Sequence, residues 1–331
     1  MRTHKKKVRL LIVLLVFFMG FKIGVFTTSN TYSGIRKHDD SWKGHNPART
    51  LPSDERSSHT TNDSLVPNIV HYIWVDLNGT YTFTFLYAVS FISVHKNWRP
   101  EEIMVHINKN NQPKGRWWDY VTSIVTTKIR FLSYDMREIR IFGEKPRYVE
   151  HISDIMRLLL LKEYGGTYID NDVIALRSLD PLRHYNHTQG VGLVTSALSN
   201  GVIIAKKTSR FLSIWLEEYK TYGKKEVYNL WGHYSVSKPR QLIKKHPELV
   251  RIERDTLVRP DMSDYRKLET RKRVWKYSYS MHVWRRFIYI PRRPEDIKRI
   301  SNQSLLRDVM EYVIFDKIPY YAQNDTKLSL V

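Results

Sequence analysis

The segment from His151 to Leu176 constrains the fold more than any other stretch. Ile155, Leu158, Leu159 and Lys162 recur at helical spacing, as do Met156, Leu160 and Tyr164, so the pattern predicts a helix. Gly165-Gly166 stops it, because glycine alone adopts the left-handed backbone of a helix stop without steric cost. Thr167-Tyr168-Ile169 then reads as a buried strand that ends in Asp170-Asn171-Asp172, and apolar chain continues from Val173 to Leu176. A chain that turns a helix directly into such a strand is committed to helix–sheet packing, with the acids at the strand's carboxyl end.

The flanking sequence repeats the alternation. Asn68 to Trp74 is rich in β-branched and aromatic residues and predicts a strand; Phe83 to His95 predicts a helix, broken by Trp98-Arg99-Pro100. Ile103 to Ile107 predicts a second strand, Asn108 to Gly115 a loop, Trp117 to Ser123 a short helix and Ile129 to Leu132 a third strand. Such alternation predicts an α/β fold whose sheet is mostly parallel and covered on both faces. Trp117-Trp118 reads as core packing.

Ligands of open α/β sheets bind outside the carboxyl ends of strands. Residues i and i+2 of a strand point to one side, so Asp170 and Asp172 are expected to present two carboxylates to one spot. Hard oxygen donors suit Mg²⁺ or Mn²⁺, which keep coordination positions open for substrate phosphates. An isolated D-x-D is more often a solvated turn. The helix-Gly-Gly-strand context lifts this one above that background, as does the pair Asp154 and Arg157, three apart on one helix face.

Composition narrows the classes. The 331 residues carry 54 Lys+Arg against 33 Asp+Glu, a net charge of +21, with 42% apolar residues, which excludes a disordered or collagen-like chain. Cysteine is absent, which excludes a thiolate zinc site, a cysteine nucleophile and a disulfide scaffold. No zinc-finger spacing, basic-zipper heptad or aromatic RNA-binding motif is visible, so nucleic acid is not expected as a partner. The runs Arg271-Lys272-Arg273 and Arg285-Arg286 read as a solvated face, or as attraction for an anionic donor or acceptor.

At the N-terminus, Arg2, Lys5, Lys6, Lys7 and Arg9 precede an apolar run from Leu10 to Phe26 that only Gly20, Lys22 and Gly24 interrupt. The run sits at the short edge of the ~17–25 residues that span a bilayer. It reads as a signal anchor over 10–26, with residues 1–9 in the cytosol by the positive-inside rule; a cleaved signal peptide is the rival reading. Residues 27–66 are polar and aperiodic and read as a flexible stem, leaving 67–331 as the globular domain. Sequons at Asn62, Asn78, Asn186, Asn302 and Asn324 fit a lumenal chain.

Ser153-Asp154-x-x-Arg157 followed by Tyr164-Gly-Gly-Thr-Tyr-Ile-Asp-Asn-Asp172 resembles the DXD region of glycosyltransferase family 32, which includes alpha-1,4-galactosyl- and alpha-1,4-N-acetylglucosaminyltransferases. Three other pieces resemble the family in order: Pro67-Asn-Ile-Val-His-Tyr-Ile-Trp74, Asn200-Gly-Val-Ile-Ile-Ala205 and Tyr279-Ser-Met-His282-Val-Trp284. Asn171 stands where many relatives have Thr or Val, and the lack of cysteine departs from the vertebrate enzymes.

The resemblance implies a GT-A type, Rossmann-like mixed sheet flanked by helices, and transfer of a hexose or N-acetylhexosamine with retention. The donor would be a nucleotide sugar, most simply UDP-linked, bound with Mn²⁺ or Mg²⁺; the acceptor would be a glycan on lipid or protein in the Golgi lumen. It implies that Asp172 coordinates the metal and that Asp170 lies near metal and donor. Asp154 and Arg157 would hold sugar hydroxyls or diphosphate, Trp74 would stack on the base, Tyr168 would line the ribose pocket, and Asn200 would join the donor-binding residues. His282 and Trp284 would close over the diphosphate. Plainer roles stand beside these: Trp74 and His282 as core residues, and Arg157 as the partner of Asp154 in a surface ion pair. Retention allows a double displacement or front-face attack; Asp261 and Asp264 are candidate nucleophiles that no spacing singles out. A relative that keeps the pocket without turnover is the alternative.

Overall fold

The computed structural model describes residues 65–192, 197–226, 229–258, 277–283, 289–302 and 304–317. The expected anchor, nearly all of the stem, Asp261, Asp264, Trp284 and the two basic runs lie outside these residues. Among the described residues, no helix is long and apolar enough to cross a membrane.

The expected alternation is present. β1 (Ile69–Trp74), β2 (Glu102–Asn108) and β3 (Lys128–Tyr134) pair in parallel, joined by α1 (Phe85–Ser93) and α2 (Arg116–Ile124). α3 (Glu150–Tyr164) then carries the chain to the other side of β1, where β4 (Gly166–Ile169) pairs in parallel with it. The strand order therefore reverses beside β1 and β4, and a crevice is expected outside their carboxyl ends. β5 (Val173–Ala175) leaves this sheet, while β6 (His187–Gly192), β7 (Ala197–Ala205) and β8 (Arg251–Glu253) extend it to the order β3-β2-β1-β4-β7-β6-β8. β7 is antiparallel to both β4 and β6, so the sheet is mixed. β9 (Ser280–His282) pairs antiparallel with β5 in a second, two-stranded sheet. α4 (Arg210–Glu218), α5 (Lys238–Lys245) and α6 (Leu305–Phe315) complete the cover.

Period-2 alternation assigns each strand residue to one of two cores. Val70, Tyr72 and Trp74 of β1 join Ile169, Val202 and Ile204 in a cluster with Phe85 and Phe91 of α1, Trp118 of α2 and Val309 of α6. Ile73, Tyr168 and Ile203 face the other way, onto Ile155 and Leu158 of α3 and Phe211 of α4. With apolar cover on both faces, the central strands read as continuous apolar runs. Trp118 meets Phe83 and Phe91 edge to face, as core packing requires. Val66, placed with the stem in the sequence, is buried and its N–H bonds the Arg183 carbonyl at 2.8 Å.

The turn between α3 and β4 needs both of its glycines. Gly165 has φ 67° and ψ −166°, a region that side chains avoid, and Gly166 has φ 102°. A Cβ on Gly166 would lie 2.7 Å from the Ile69 carbonyl oxygen. His71 Nε2 donates to the Gly165 carbonyl at 2.8 Å, which leaves Nδ1 to accept from His106 Nε2 at 3.0 Å. His106 Nδ1 in turn accepts from the Tyr134 hydroxyl at 3.1 Å. This chain of neutral groups pins the turn that launches the acidic strand end.

Candidate metal and donor site

Asp170 and Asp172 converge, but by a different route from strand alternation. β4 ends at Ile169, and residues 170–173 form a turn closed by the Val173 N–H on the Asp170 carbonyl at 3.1 Å. Two bonds fix that turn to the main sheet: the Asp170 N–H on the Gly201 carbonyl at 2.9 Å, and Asn171 Nδ2 on the Ile73 carbonyl at 3.2 Å. The second sheet then supplies a third group. β9 pairs with β5 so that His282 lies opposite Val173, and the Val283 N–H bonds the Asp172 carbonyl at 2.9 Å. His282 Nε2 comes to 3.2 Å from Asp172 Oδ1 and 3.9 Å from Asp170 Oδ2. One donor atom from each of the three residues lies within 4.8 Å of the others.

The Asp side chains keep 25% of their surface in solvent while His282 keeps 6%, so the cluster opens outward on its carboxylate side. Two hard oxygens and one imidazole nitrogen are a donor set that fits Mn²⁺ well and Mg²⁺ less well. In the sequence His282 was one of the donor-closing residues; its place beside the acids was invisible there, because the β5–β9 pairing joins segments more than a hundred residues apart.

Asp170 is held from behind. The Tyr168 hydroxyl donates to Asp170 Oδ1 at 2.5 Å, and Arg157 Nη1 lies 3.5 Å from the same oxygen. Oδ1 is thus engaged within the protein, and Oδ2 faces His282. Burial pushes the Tyr168 phenol well above its usual range, which keeps it a donor at all working pH. Arg157 spans the space beneath. Its Nε and Nη2 reach the Ser153 carbonyl and hydroxyl, both at 3.1 Å, and Nη1 reaches the Asn200 carbonyl at 2.6 Å. Nη2 also meets Asp154 Oδ1 at 3.0 Å, and the guanidinium lies 4.4 Å above the Tyr168 ring. Arg157 thus makes three hydrogen bonds and two ion pairs within the protein.

The expected Asp154–Arg157 pair therefore exists, but it is buried, at 6% exposure on each side chain, and is no surface ion pair. Asn200 belongs to the same network, its Nδ2 donating to Asp154 Oδ1 at 3.3 Å. Burial pushes the Asp154 carboxyl up to about 6, against the opposing pull of Arg157. The structure thus joins Asp154, Arg157, Tyr168, Asp170, Asp172, Asn200 and His282 in one constellation. Ser153, whose carbonyl and hydroxyl anchor Arg157, was quoted in the sequence motif without a role. Trp74 lies at the carboxyl end of β1 but is buried in the core at 3% exposure, packed by Tyr81, Phe83 and Tyr87, so the core reading holds and the ring is not open to stack on a base. Tyr81 and Tyr87 meet it edge to face, and its indole N–H is buried with no partner among the described residues.

Residues 85–188 match the family model described as glycosyltransferase sugar-binding region containing DXD motif. Glucan organizing enzyme 1 of Cryptococcus neoformans var. grubii is 30% identical over 202 residues, covering 57% of this chain and 52% of that protein. Lactosylceramide 4-alpha-galactosyltransferase of Mus musculus is 27% identical over 113 residues, covering 33% of this chain and 29% of that protein. The chain thus matches about half, or less, of the length of these curated relatives. Among solved structures, PaToxG glycosyltransferase aligns at 20% identity over 56% of this chain and 70% of that chain, with a TM-score of 0.36. The match takes in Asp154, Arg157, Tyr168 and both acids of the turn, so residues 85–188 are similar to the DXD-containing sugar-binding region of glycosyltransferases.

Proposed function

We propose that this protein is a metal-dependent, retaining glycosyltransferase of GT-A type, which moves a hexose or N-acetylhexosamine from a nucleotide sugar, most simply a UDP-sugar, to a glycan on lipid or protein. The observation that carries the reading is the convergence of Asp170, Asp172 and His282 on one outward-facing spot at the carboxyl end of β4. Asp170, Asp172 and His282 would hold a divalent ion there, which would supply positive charge to the departing nucleoside diphosphate. Each residue then has a task. Asp172 would bind through oxygen from the turn that leads into β5, and His282 through nitrogen from β9, the partner of β5 in the second sheet. Asp170 offers Oδ2, because Tyr168 and Arg157 occupy Oδ1. Asp154 and Asn200 hold Arg157 in place. The base of the donor is assigned to the end of β1, beside the half-exposed ring of Tyr81, with the buried Trp74 behind it. In the same reading the chain is a Golgi type II membrane protein anchored through residues 10–26, with the catalytic domain in the lumen.

The test is donor hydrolysis by the full-length chain with Mn²⁺ and a panel of nucleotide sugars. One donor is expected to be cleaved, and Asp172→Asn is expected to lower the rate at least about tenfold to a hundredfold, since even indirect partners of a metal are worth that much. A donor that binds without cleavage would favour a pocket without turnover. No binding of any donor would end the proposal.

A further inference from the structure

The three-residue cluster leans on one piece of backbone, β7 at Gly201. A Cβ built on Gly201 would lie 2.8 Å from His282 Cε1, 2.9 Å from His282 Nδ1 and 3.2 Å from Asp170 Oδ2. The glycine is not there for its backbone: unlike Gly165 and Gly166, it has no positive φ. It sits inside a nine-residue strand, beside the β-branched residues Val202, Ile203 and Ile204, where a glycine weakens the strand and marks a close approach. What it supplies is room.

Neither neighbour can make way for a methyl group in that room and keep its place, and the ring is the closer of the two. Asp170 is held by Tyr168 and Arg157 through Oδ1, and its own N–H is bonded to the Gly201 carbonyl. The His282 ring is buried and its backbone is fixed in register against Val173. A methyl at 201 would therefore push the ring away from the two carboxylates. The geometry points to Gly201 as a positioning residue: its missing side chain sets how closely His282 approaches Asp170 and Asp172, and so the fit of the cluster to a divalent cation. This inference rests on the reading of the cluster as a cation site.

The experiment is Mn²⁺ titration of the full-length chain, followed by electron paramagnetic resonance of the free ion, with thermal midpoints measured alongside. Gly201→Ala is expected to weaken Mn²⁺ binding about 10–100-fold, the range for a residue that orients a metal ligand. The effect should run through the ring. In a His282→Ala background, alanine at 201 should cost less than about threefold in affinity, and little in midpoint, because the two substitutions share one contact. If Gly201→Ala unfolds while Gly201→Ala/His282→Ala folds, the overlap with the ring is confirmed through stability. If both unfold, the glycine serves the strand alone and the inference is overturned. Equal Mn²⁺ affinity in wild type and Gly201→Ala overturns it too and leaves the cation site standing. A wild-type chain that takes up no Mn²⁺ removes the cation site itself.

Discussion

Replacing Asp154 by asparagine removes a buried charge and keeps nearly the same shape, and the structure gives a magnitude for the result. The Asp154 carboxyl is driven up from its ordinary 3.8 to about 6, chiefly by burial, with Arg157 offsetting only part of that cost. Below pH 3.8 the group is protonated in folded and unfolded chains alike and contributes nothing. Between 3.8 and about 6 the unfolded chain releases its proton first, so stability is lost as pH rises, and above 6 the loss is complete. The loss is about 3 kcal/mol for a shift of this size, at ~1.4 kcal/mol per pH unit. Asp154→Asn should recover up to that amount at pH 7 and close to none at pH 3.5. The assay is urea unfolding of both chains at a series of pH values, read as a difference, because the buried histidines give the wild type an opposite slope. The same substitution should lower activity, because Arg157 loses a charged anchor and Asp170 loses its firm support; stability and function pull apart at such sites. A variant less stable than wild type at pH 7 would show Asp154 to be a net stabiliser, and a difference that does not change with pH would show that folding leaves its titration unaltered; either outcome refutes the reasoning.

The histidine slope is itself a prediction. Burial holds His71 and His187 at about 4, so each resists protonation when folded and accepts a proton near 6.5 when unfolded. Stability should fall as pH drops through that window, by about 2 kcal/mol per histidine between pH 7 and pH 5, and substituting His187 by Gln should remove one such increment from the urea titration. Tyr168→Phe deletes the donor to Asp170 Oδ1; Mn²⁺ affinity should fall about 10–100-fold while Mg²⁺-free stability drops by no more than ~3 kcal/mol, the upper value for a hydrogen bond to a charged group. Gly166→Ala forces a Cβ to within 2.7 Å of the Ile69 carbonyl at φ 102°, so the thermal midpoint should drop and activity should fall with it, at a cost of at least ~1 kcal/mol.

The contrast between Gly166 and His282 shows what was legible in the sequence and why. The route from α3 through Gly165-Gly166 into β4 is written in neighbouring residues: a helical period, two glycines that alone fit φ 67° and 102°, and a run of β-branched and aromatic side chains. Local physics suffices there, and α1, α2, β2 and β3 were readable for the same reason. The turn at Asp170–Val173 escaped, because two acids spaced i, i+2 look alike on a strand and in a turn. The place of His282 beside the two acids escaped for a deeper reason. Its strand is three residues long, carries no period, and acquires a partner only after the domain has closed the loop between β5 and β9. Burial of Arg157 also depended on distant chain: the Asn200 carbonyl and the Tyr168 ring, not its helix neighbours alone, turn an exposed-looking pair into the buried support of Asp170. The local turn thus sets the two acids, while the donor set closes through a group that tertiary pairing delivers. That is why Gly201, ordinary in backbone angle and unremarked in the sequence, lies in contact with both the local half of the site and the delivered half.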